Sequence, residues 1–404
     1  MLKKKMKRLT LCILAFLVGV GVWADEAATD SLGLPTDLHA SLLVCDAGDD
    51  FYSGYGHCAL RMECPSKGLD FVFSYYMEDN FSNRTRLFRG NAVGSYVAMK
   101  TPSFLKEYEM YNRGVEVYEL NLTLDQKRQL WQLLDQEVAR KTRRPYNYLH
   151  TNCSSMSIYA VERVLADERI VCDSYDDGIT GTYRHFIGRI SEDQPWAYFF
   201  WTTILGAHGD TNGNIEDKMA PMLIRKSLLQ MRIVDAEGHE RPFVVGQPAT
   251  LLPHGFAISP APFTPSHLFL LVLLLAVAVS LWQLAKPQSA RWPAFAFDGL
   301  LLTFQTLIGL FLFYISCISR MEGAAGNWNL LVFNPLPLLL WLLFRHRCWY
   351  GRVFGLYVAV LVFYVCLWPF SPQVDALRIW MVSPLLVRSV CLFWSAERHY
   401  RACR

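Results

Sequence analysis

Two short segments hold the residues best suited to covalent chemistry. The first is Tyr52-Ser53-Gly54-Tyr55-Gly56-His57-Cys58-Ala59-Leu60-Arg61, whose glycines deliver a histidine at the mouth of a strand. The second is Arg143-Arg144-Pro145-Tyr146-Asn147-Tyr148-Leu149-His150-Thr151-Asn152-Cys153-Ser154-Ser155, in which a cysteine opens a helix. A thiol at a helix N-terminus sits in the positive end of the dipole among free backbone N–H groups. Both effects favour the thiolate. An imidazole nearby then serves as general base and later as acid, and the same N–H groups suit an oxyanion. Spacing alone is a weak signal, because one Cys and one His are more commonly a core thiol and a surface ring. Their order carries more: histidine on an early strand and cysteine at a later helix N-terminus is the order of circularly permuted papain-like folds.

A third, orienting group is expected from the strand paired with 55–62. If that hairpin turns near Ser66 and Lys67, the end opposite His57 holds Tyr75, Tyr76, Glu78 and Asp79. Tyr75 or Glu78 is the preferred supporting residue, although register decides which one faces the imidazole. Asn152, next to the cysteine, is a further supporting candidate.

The elements around these segments follow from pattern. Residues 41–45, 55–62, 69–76 and 114–122 read as strands, the middle two forming a hairpin around Pro65-Ser66-Lys67-Gly68. Thr123 with Gln126 forms a capping box for a helix to about Arg140, whose Leu130, Leu133 and Leu134 face a core. A second helix follows Asn152, with Met156, Tyr159, Ala160 and Val164 at helical spacing. No cofactor is called for, and no His/Cys set has zinc spacing: Cys58 and Cys64 flank a turn without two further ligands.

The chain has 404 residues, 52% of them hydrophobic, and its mean hydropathy is +0.17. That is apolar for a soluble protein and too polar for an all-membrane one. The net charge of +3 gives no pointer to nucleic acid. Residues 1–24 have the layout of a secretory signal peptide, or of an uncleaved anchor: basic residues from Lys3 to Arg8, an apolar run, then Val22-Trp23-Ala24. Residues 25–262 are then an exported domain and 263–404 a transmembrane domain. Five helices are expected at about 266–285, 295–318, 328–344, 352–370 and 376–395, each near the ~20 residues that span a bilayer.

Loop charges agree with an exported N-terminal domain. Lys286, Arg291, Arg345, Arg347, Arg352, Arg398, Arg401 and Arg404 fall on the cytoplasmic side, with Arg320 and Arg378 outside. The C-terminus is then cytoplasmic, and the membrane is the bacterial inner membrane. Arg388 inside the fifth span is either functional or a snorkelling or boundary arginine. The aromatic run 194–204 is either an interfacial or acyl-lining segment or an ordinary buried helix. Arg143, Arg144 and Arg184 are either contacts for lipid phosphate or solvated charges. The exported part carries Cys45, Cys58, Cys64, Cys153 and Cys172, an odd number, so at least one is unpaired within the chain; Cys58–Cys64 and Cys45–Cys172 are candidate disulfides.

The runs YSGYGHCALRM, FVFSYY, LNLTLDQKRQLWQLL and YNYLHTNCSS resemble the Lnb family of Bacteroidota. The likeness continues through TGTYRHF, the stretch Gly206 to Asp210 and the loop NWNLLVFNPLPLL, and so covers nearly the whole chain. It implies an α+β periplasmic domain of permuted papain-like, NlpC/P60 type followed by a helical membrane domain. It also implies lipoprotein N-acylation: an acyl chain passes from a phospholipid to the α-amine of a diacylated lipoprotein's N-terminal cysteine. His57 and Cys153 map to the family's His–Cys pair. Where many relatives read Asn-Tyr-Gly, this chain reads Ser74-Tyr75-Tyr76. Arg61, Tyr146 and Arg184 are the expected substrate-binding residues. The alternatives are a membrane-anchored papain-like hydrolase acting on peptides or peptidoglycan amides, and a non-catalytic binding module.

Overall fold

The computed structural model describes residues 35–48, 53–78, 81–172, 182–211, 220–255, 261–344 and 350–402. The expected leader, Tyr52, Asp79, Arg345, Arg347 and Arg404 lie outside the described residues.

The exported domain is built on an antiparallel sheet. Its strands are β1 (His39–Cys45), β2 (His57–Cys64), β3 (Leu69–Met77), β4 (Val93–Lys100), β5 (Val115–Glu119), β6 (Arg144–Pro145) and β10 (Ala249–Leu252). They run in the order β10-β5-β1-β2-β3-β4-β6. A smaller sheet pairs β7 (Arg169–Val171), β8 (Arg232–Val234) and β9 (Glu240–Pro242). The β2–β3 hairpin has the expected turn: Pro65–Lys67 form one 3-10 turn and Gly68 follows at φ 62°. β4, with its weak alternation VGSYVAMK, is an addition to the strands expected from sequence.

The central strands are covered on both faces. Leu42, Val44, Cys58, Leu60 and Met62 point to one core, beneath α3 (Leu124–Ala139) and α4 (Cys153–Glu162). Leu43, Cys45, Ala59 and Val72 point to the other, beneath α2 (Thr101–Met110) with its Phe104 and Tyr108. This two-sided burial suits β1, whose six residues after His39 are all buried. α3 starts with the expected capping box, Thr123 N–H donating to Gln126 Oε1 at 2.9 Å. A shorter helix, α1 (Phe81–Arg89), follows β3.

Three further helices, α5 (Tyr183–Ile190), α6 (Pro195–Ile204) and α7 (Pro221–Ser227), lead towards the apolar half. That half comprises α8 (Pro265–Ala285), α9 (Pro287–Phe313), α10 (Leu336–Phe344), α11 (Tyr350–Cys366) and α12 (Ala376–Ala402). Spans at Pro265–Ala285, Pro287–Ile318 and Ala376–Ala396 are long and apolar enough to cross a bilayer. The stretches Trp328–Leu343 and Tyr350–Cys366 are apolar but shorter than the ~20 residues expected of them. Arg388 is fully engaged rather than snorkelling: it grips Asp298 at 2.6 and 2.8 Å, Ser280 at 2.8 Å and Gln283 at 2.8 Å. Pairing of this kind is what makes a buried guanidinium tolerable between α8, α9 and α12.

The two halves share one core. Tyr183, Phe186, Trp201 and Leu205 of the exported domain cluster with Leu312, Ile315, Val332 and Tyr364 of the membrane half. The aromatic run 194–204 becomes α6, whose Phe199 and Phe200 meet Phe269 and Phe311. Polar clamps fasten the joint. Asn327 and Asn329 donate to Thr203 O at 2.8 and 3.1 Å, and Arg378 donates to Thr203 Oγ1 at 3.0 Å. Gly206 is required here, because a Cβ at that position would lie 1.9 Å from Ala325 O.

Candidate active site

Cys153 is the first residue of α4. Asn152 caps the helix, its side chain accepting the N–H groups of Ser154 and Ser155 at 3.0 and 3.2 Å. Ser155 Oγ accepts the Asn152 N–H in return at 2.9 Å. This capping box fixes where the helix begins and so where the sulfur lies. Asn152 therefore supports the cysteine as a cap. Burial pushes the thiol above its ordinary value of 9.0. The backbone N–H groups of Cys58, Ser154 and Cys153 itself oppose that rise by stabilising the thiolate. The resting sulfur is thus a neutral thiol ringed by donors.

The Cys58 N–H is available because β2 pairs with β3 only from Leu60 onward. At its first residues β2 keeps only its β1 partner, with Cys45 opposite His57. Gly56 makes the entry possible at φ +79°, where a Cβ would lie 2.6 Å from Cys45 O. The structure therefore brings Cys153 to the residue that follows His57.

The His57 ring is buried and stacks on Tyr76, centroids 4.8 Å apart and planes 8° from parallel. It also approaches Phe104 of α2 at 6.4 Å. Burial, reinforced by the Arg113 charge, holds its pKa down to about 3, so the imidazole is neutral. Among the described residues its Nε2 has no hydrogen-bond partner. Among the described residues no hydrogen bond joins His57 to Cys153. The imidazole has Phe104 of α2 as a neighbour, whereas α4 packs over the opposite face and its sulfur reaches the strand edge. His57 does not line the cavity over Cys153.

A cavity of about 80 Å³ opens over the sulfur. Tyr55, Tyr146, Tyr148, Ile187, Ile190 and Trp201 supply most of its wall. Tyr148 lies 4.6 Å from Trp201, ring to ring, and donates its hydroxyl to Glu322 O at 2.9 Å. The wall is thus built partly by α6, the helix that packs on the membrane bundle.

Several expected site residues lie elsewhere. Tyr75 points into the core with Tyr96 and Tyr146, and its hydroxyl donates to Arg144 O and Pro145 O at 3.3 Å. Tyr76 faces His57 instead, since neighbouring strand residues point to opposite faces. Glu78 is held by Arg143 at 2.5 and 3.2 Å. Arg61 is committed to Asp70 through two 2.8 Å bonds and to Glu63 at 3.1 Å, and does not line the cavity. Arg184 is buried at the joint and donates to Asp210 Oδ1 and Thr202 O, both at 2.6 Å, and to Leu205 O at 2.8 Å. Arg144 is paired with Glu137. Of the three expected substrate-binding residues only Tyr146 lines the cavity. Trp201 comes from the aromatic run 194–204, for which an acyl-lining role was one of the two expectations, whereas Tyr55 and Tyr148 were not anticipated; aromatic enrichment within the two motifs was the available signal. Cys45, Cys58, Cys64 and Cys153 are free thiols, so neither the Cys58–Cys64 nor the Cys45–Cys172 disulfide forms. Cys58 and Cys64 lie at opposite ends of β2, too far apart to bridge.

Two family models match: the Lnb N-terminal periplasmic domain over residues 26–185 and the Lnb transmembrane domain over residues 257–399. The chain belongs to the Lnb family. It is therefore a membrane protein with a periplasmic α+β domain and a helical transmembrane domain, as Lnb architecture requires. No curated protein and no solved structure matches it. Within the Lnb periplasmic match lie both His57 and Cys153, while the α6 wall of the cavity falls between the two matched regions.

Proposed function

We propose that this Lnb protein is a lipoprotein N-acyltransferase with Cys153 as nucleophile and His57 as acid–base. The observation that carries the reading is the position of the thiol: at a capped helix N-terminus, among three N–H groups, in an aromatic cavity walled by the helix that meets the membrane bundle. His57, neutral and with a free ring nitrogen, takes the thiol proton. The sulfur attacks the ester carbonyl of a phospholipid. The C–O bond breaks, the lysophospholipid leaves with the proton from His57, and the acyl chain stays as a thioester. The N–H groups of Cys58 and Ser154 receive the developing oxyanion. The α-amine of a diacylated lipoprotein then attacks, forming the amide C–N bond and breaking C–S, and its proton passes to His57 and on to the thiolate.

Both substrates are lipid-anchored, which suits a domain bolted to its membrane helices through a shared core. With five crossings the C-terminus is cytoplasmic and the cavity faces the outer leaflet of the inner membrane. The cysteine helix packs against the histidine strand, in keeping with the permuted papain-like arrangement that the family resemblance implies. The test is mass spectrometry of the purified protein after incubation with phospholipid. A mass increment of one acyl chain on Cys153, discharged by a diacylated lipopeptide with a free amine, is expected. Release of free fatty acid without transfer, or cleavage of a peptide or peptidoglycan amide instead, would overturn the reading in favour of a hydrolase.

A further inference from the structure

Away from the thiol, three side chains from three distant segments converge at the joint between the periplasmic domain and the membrane bundle. They are His150, His208 and Glu322, whose donor atoms all lie within 4.8 Å of one another. We propose that they form a binding site for a divalent transition metal, zinc foremost. The inference stands apart from the acyl-transfer reading, since neither His208 nor Glu322 lines the cavity over Cys153.

Each ligand sits on a fixed support. His150 lies in a turn where Asn147 Oδ1 accepts the N–H groups of Leu149, His150 and Thr151 at 3.0, 2.6 and 3.2 Å. His208 lies in the turn Ala207–Asp210, whose Asp210 is gripped by Arg184. Glu322 lies in the loop after α9, where Gly323 O and Ala325 O accept the N–H groups of Gly206 and Ala207, both at 2.8 Å. The loop of His208 and the loop of Glu322 are thus zipped together by backbone bonds. Tyr183 stacks on the His208 ring at 5.6 Å and meets the His150 ring edge-on at 5.3 Å, so both imidazoles are oriented.

The donor set decides the class of ion. Two imidazoles and one carboxylate suit zinc and its first-row neighbours; calcium and magnesium take oxygen ligands. Bonds of 2.0–2.1 Å in a tetrahedral site place donors about 3.4 Å apart. His150 Nε2 and Glu322 Oε1 are already 2.9 Å apart, so the histidine at position 208 has the largest distance to close. Three protein ligands leave a fourth position for water, and partial exposure of His150 and Glu322 gives the ion a way in. His150 stands three residues before Cys153, so the ion ties the nucleophile's loop to a membrane loop. Sequence spacing gave no sign of this set, because ligands at 150, 208 and 322 share no local motif.

The experiment uses the full-length protein in detergent, stripped with a chelator and dialysed against zinc sulfate. Bound zinc is measured by elemental mass spectrometry and stability by thermal unfolding. The expected result is about one more zinc per chain in the wild type than in His208→Gln, with a zinc-dependent rise in the wild-type midpoint of several degrees. Cobalt in place of zinc should give a spectrum without thiolate charge transfer. Equal zinc in wild type and His208→Gln, or a cobalt–thiolate band that Cys153→Ser removes, would overturn the proposal. If His208→Gln does not reach the midpoint of the zinc-free wild type, Glu322→Gln is read against the same two criteria.

Discussion

The active-site end of the sheet and the domain–membrane joint differ in how far their central buried polar group is paired, although Arg378 Nε at the joint also lacks a partner among the described residues. At the site, His57 Nε2 is buried without a partner among the described residues, and the Cys153 thiol faces backbone N–H groups. At the joint, Arg184 alone makes bonds to Asp210, Thr202 O, Leu205 O and Gly206 O. An unpaired buried group costs about 1–3 kcal/mol, so it persists where a bound molecule completes it. A saturated guanidinium does the reverse and holds one arrangement. The unsaturated region is where chemistry is expected and the saturated one is where geometry is fixed.

The largest test of this contrast is Cys153→Ser. It should lower acyl transfer by about a thousandfold or more while the thermal midpoint stays within a few degrees, because only one atom in a preformed cavity changes. Retained transfer would remove the site from that end of the sheet. Arg184→Met should do the opposite. It leaves Asp210 with Gln373 as its remaining side-chain donor and takes the guanidinium from Thr202 O and Leu205 O, and the expected loss is about 3–5 kcal/mol of stability. Hydrogen exchange should show it first in residues 199–210 and 319–329. A variant that unfolds no more easily than wild type would mean that the joint is not held by this cluster.

A finer test separates two neighbours on β3. Tyr76 stacks on His57, while Tyr75 is a core residue with its hydroxyl on backbone carbonyls. Tyr76→Ala should lower the acylation rate about tenfold by freeing the imidazole, with KM for the lipopeptide little changed. Tyr75→Phe should cost about 1 kcal/mol of stability and leave the rate alone. If Tyr75→Phe is the slower enzyme, the assignment of faces is wrong.

That pair also marks how far the sequence could be read. The hairpin 55–76, the capping box at Thr123 and the helix start at Asn152 were legible because each depends on local chemistry: a glycine turn, a side-chain cap, a dipole end. The abrupt change to apolar runs was legible for the same reason. Which of Tyr75 and Tyr76 meets the imidazole was not, because a one-residue register step reverses every side chain on a strand. Nor was the fate of Arg61 and Arg184. Arginine looks alike in sequence whether it awaits a phosphate or is already spent on Asp70 or Asp210, and only the fold supplies the partner. The third apolar stretch, expected over 328–344, has its regular helix only over Leu336–Phe344 among the described residues, since Trp328 and its neighbours are drawn into the joint by Asn327 and Asn329.

The smallest expected effect comes from a third polar cluster, where β1 ends and β10 leads towards α8. His254 lies between Asp46 at 2.7 Å and Glu116 at 3.0 Å, and Arg225 bonds to the same two carboxylates. The hydrogen bond to Asp46, helped by Glu116, raises the histidine pKa above 6.5 against the opposing effect of burial. A folded-state pKa above the unfolded one means that the stabilisation is fully present below about pH 6.5. It is lost as pH rises through the folded value. The side chain is 48% exposed, so solvent screening limits the gain to roughly 0.5 kcal/mol. His254→Gln should therefore be slightly less stable than wild type at pH 6, and the two should converge above pH 8 in urea titrations monitored by Trp fluorescence. A gap that widens with pH would show that the neutral ring, not the imidazolium, is the bound form. The cluster would then belong with the saturated joint rather than between the two extremes.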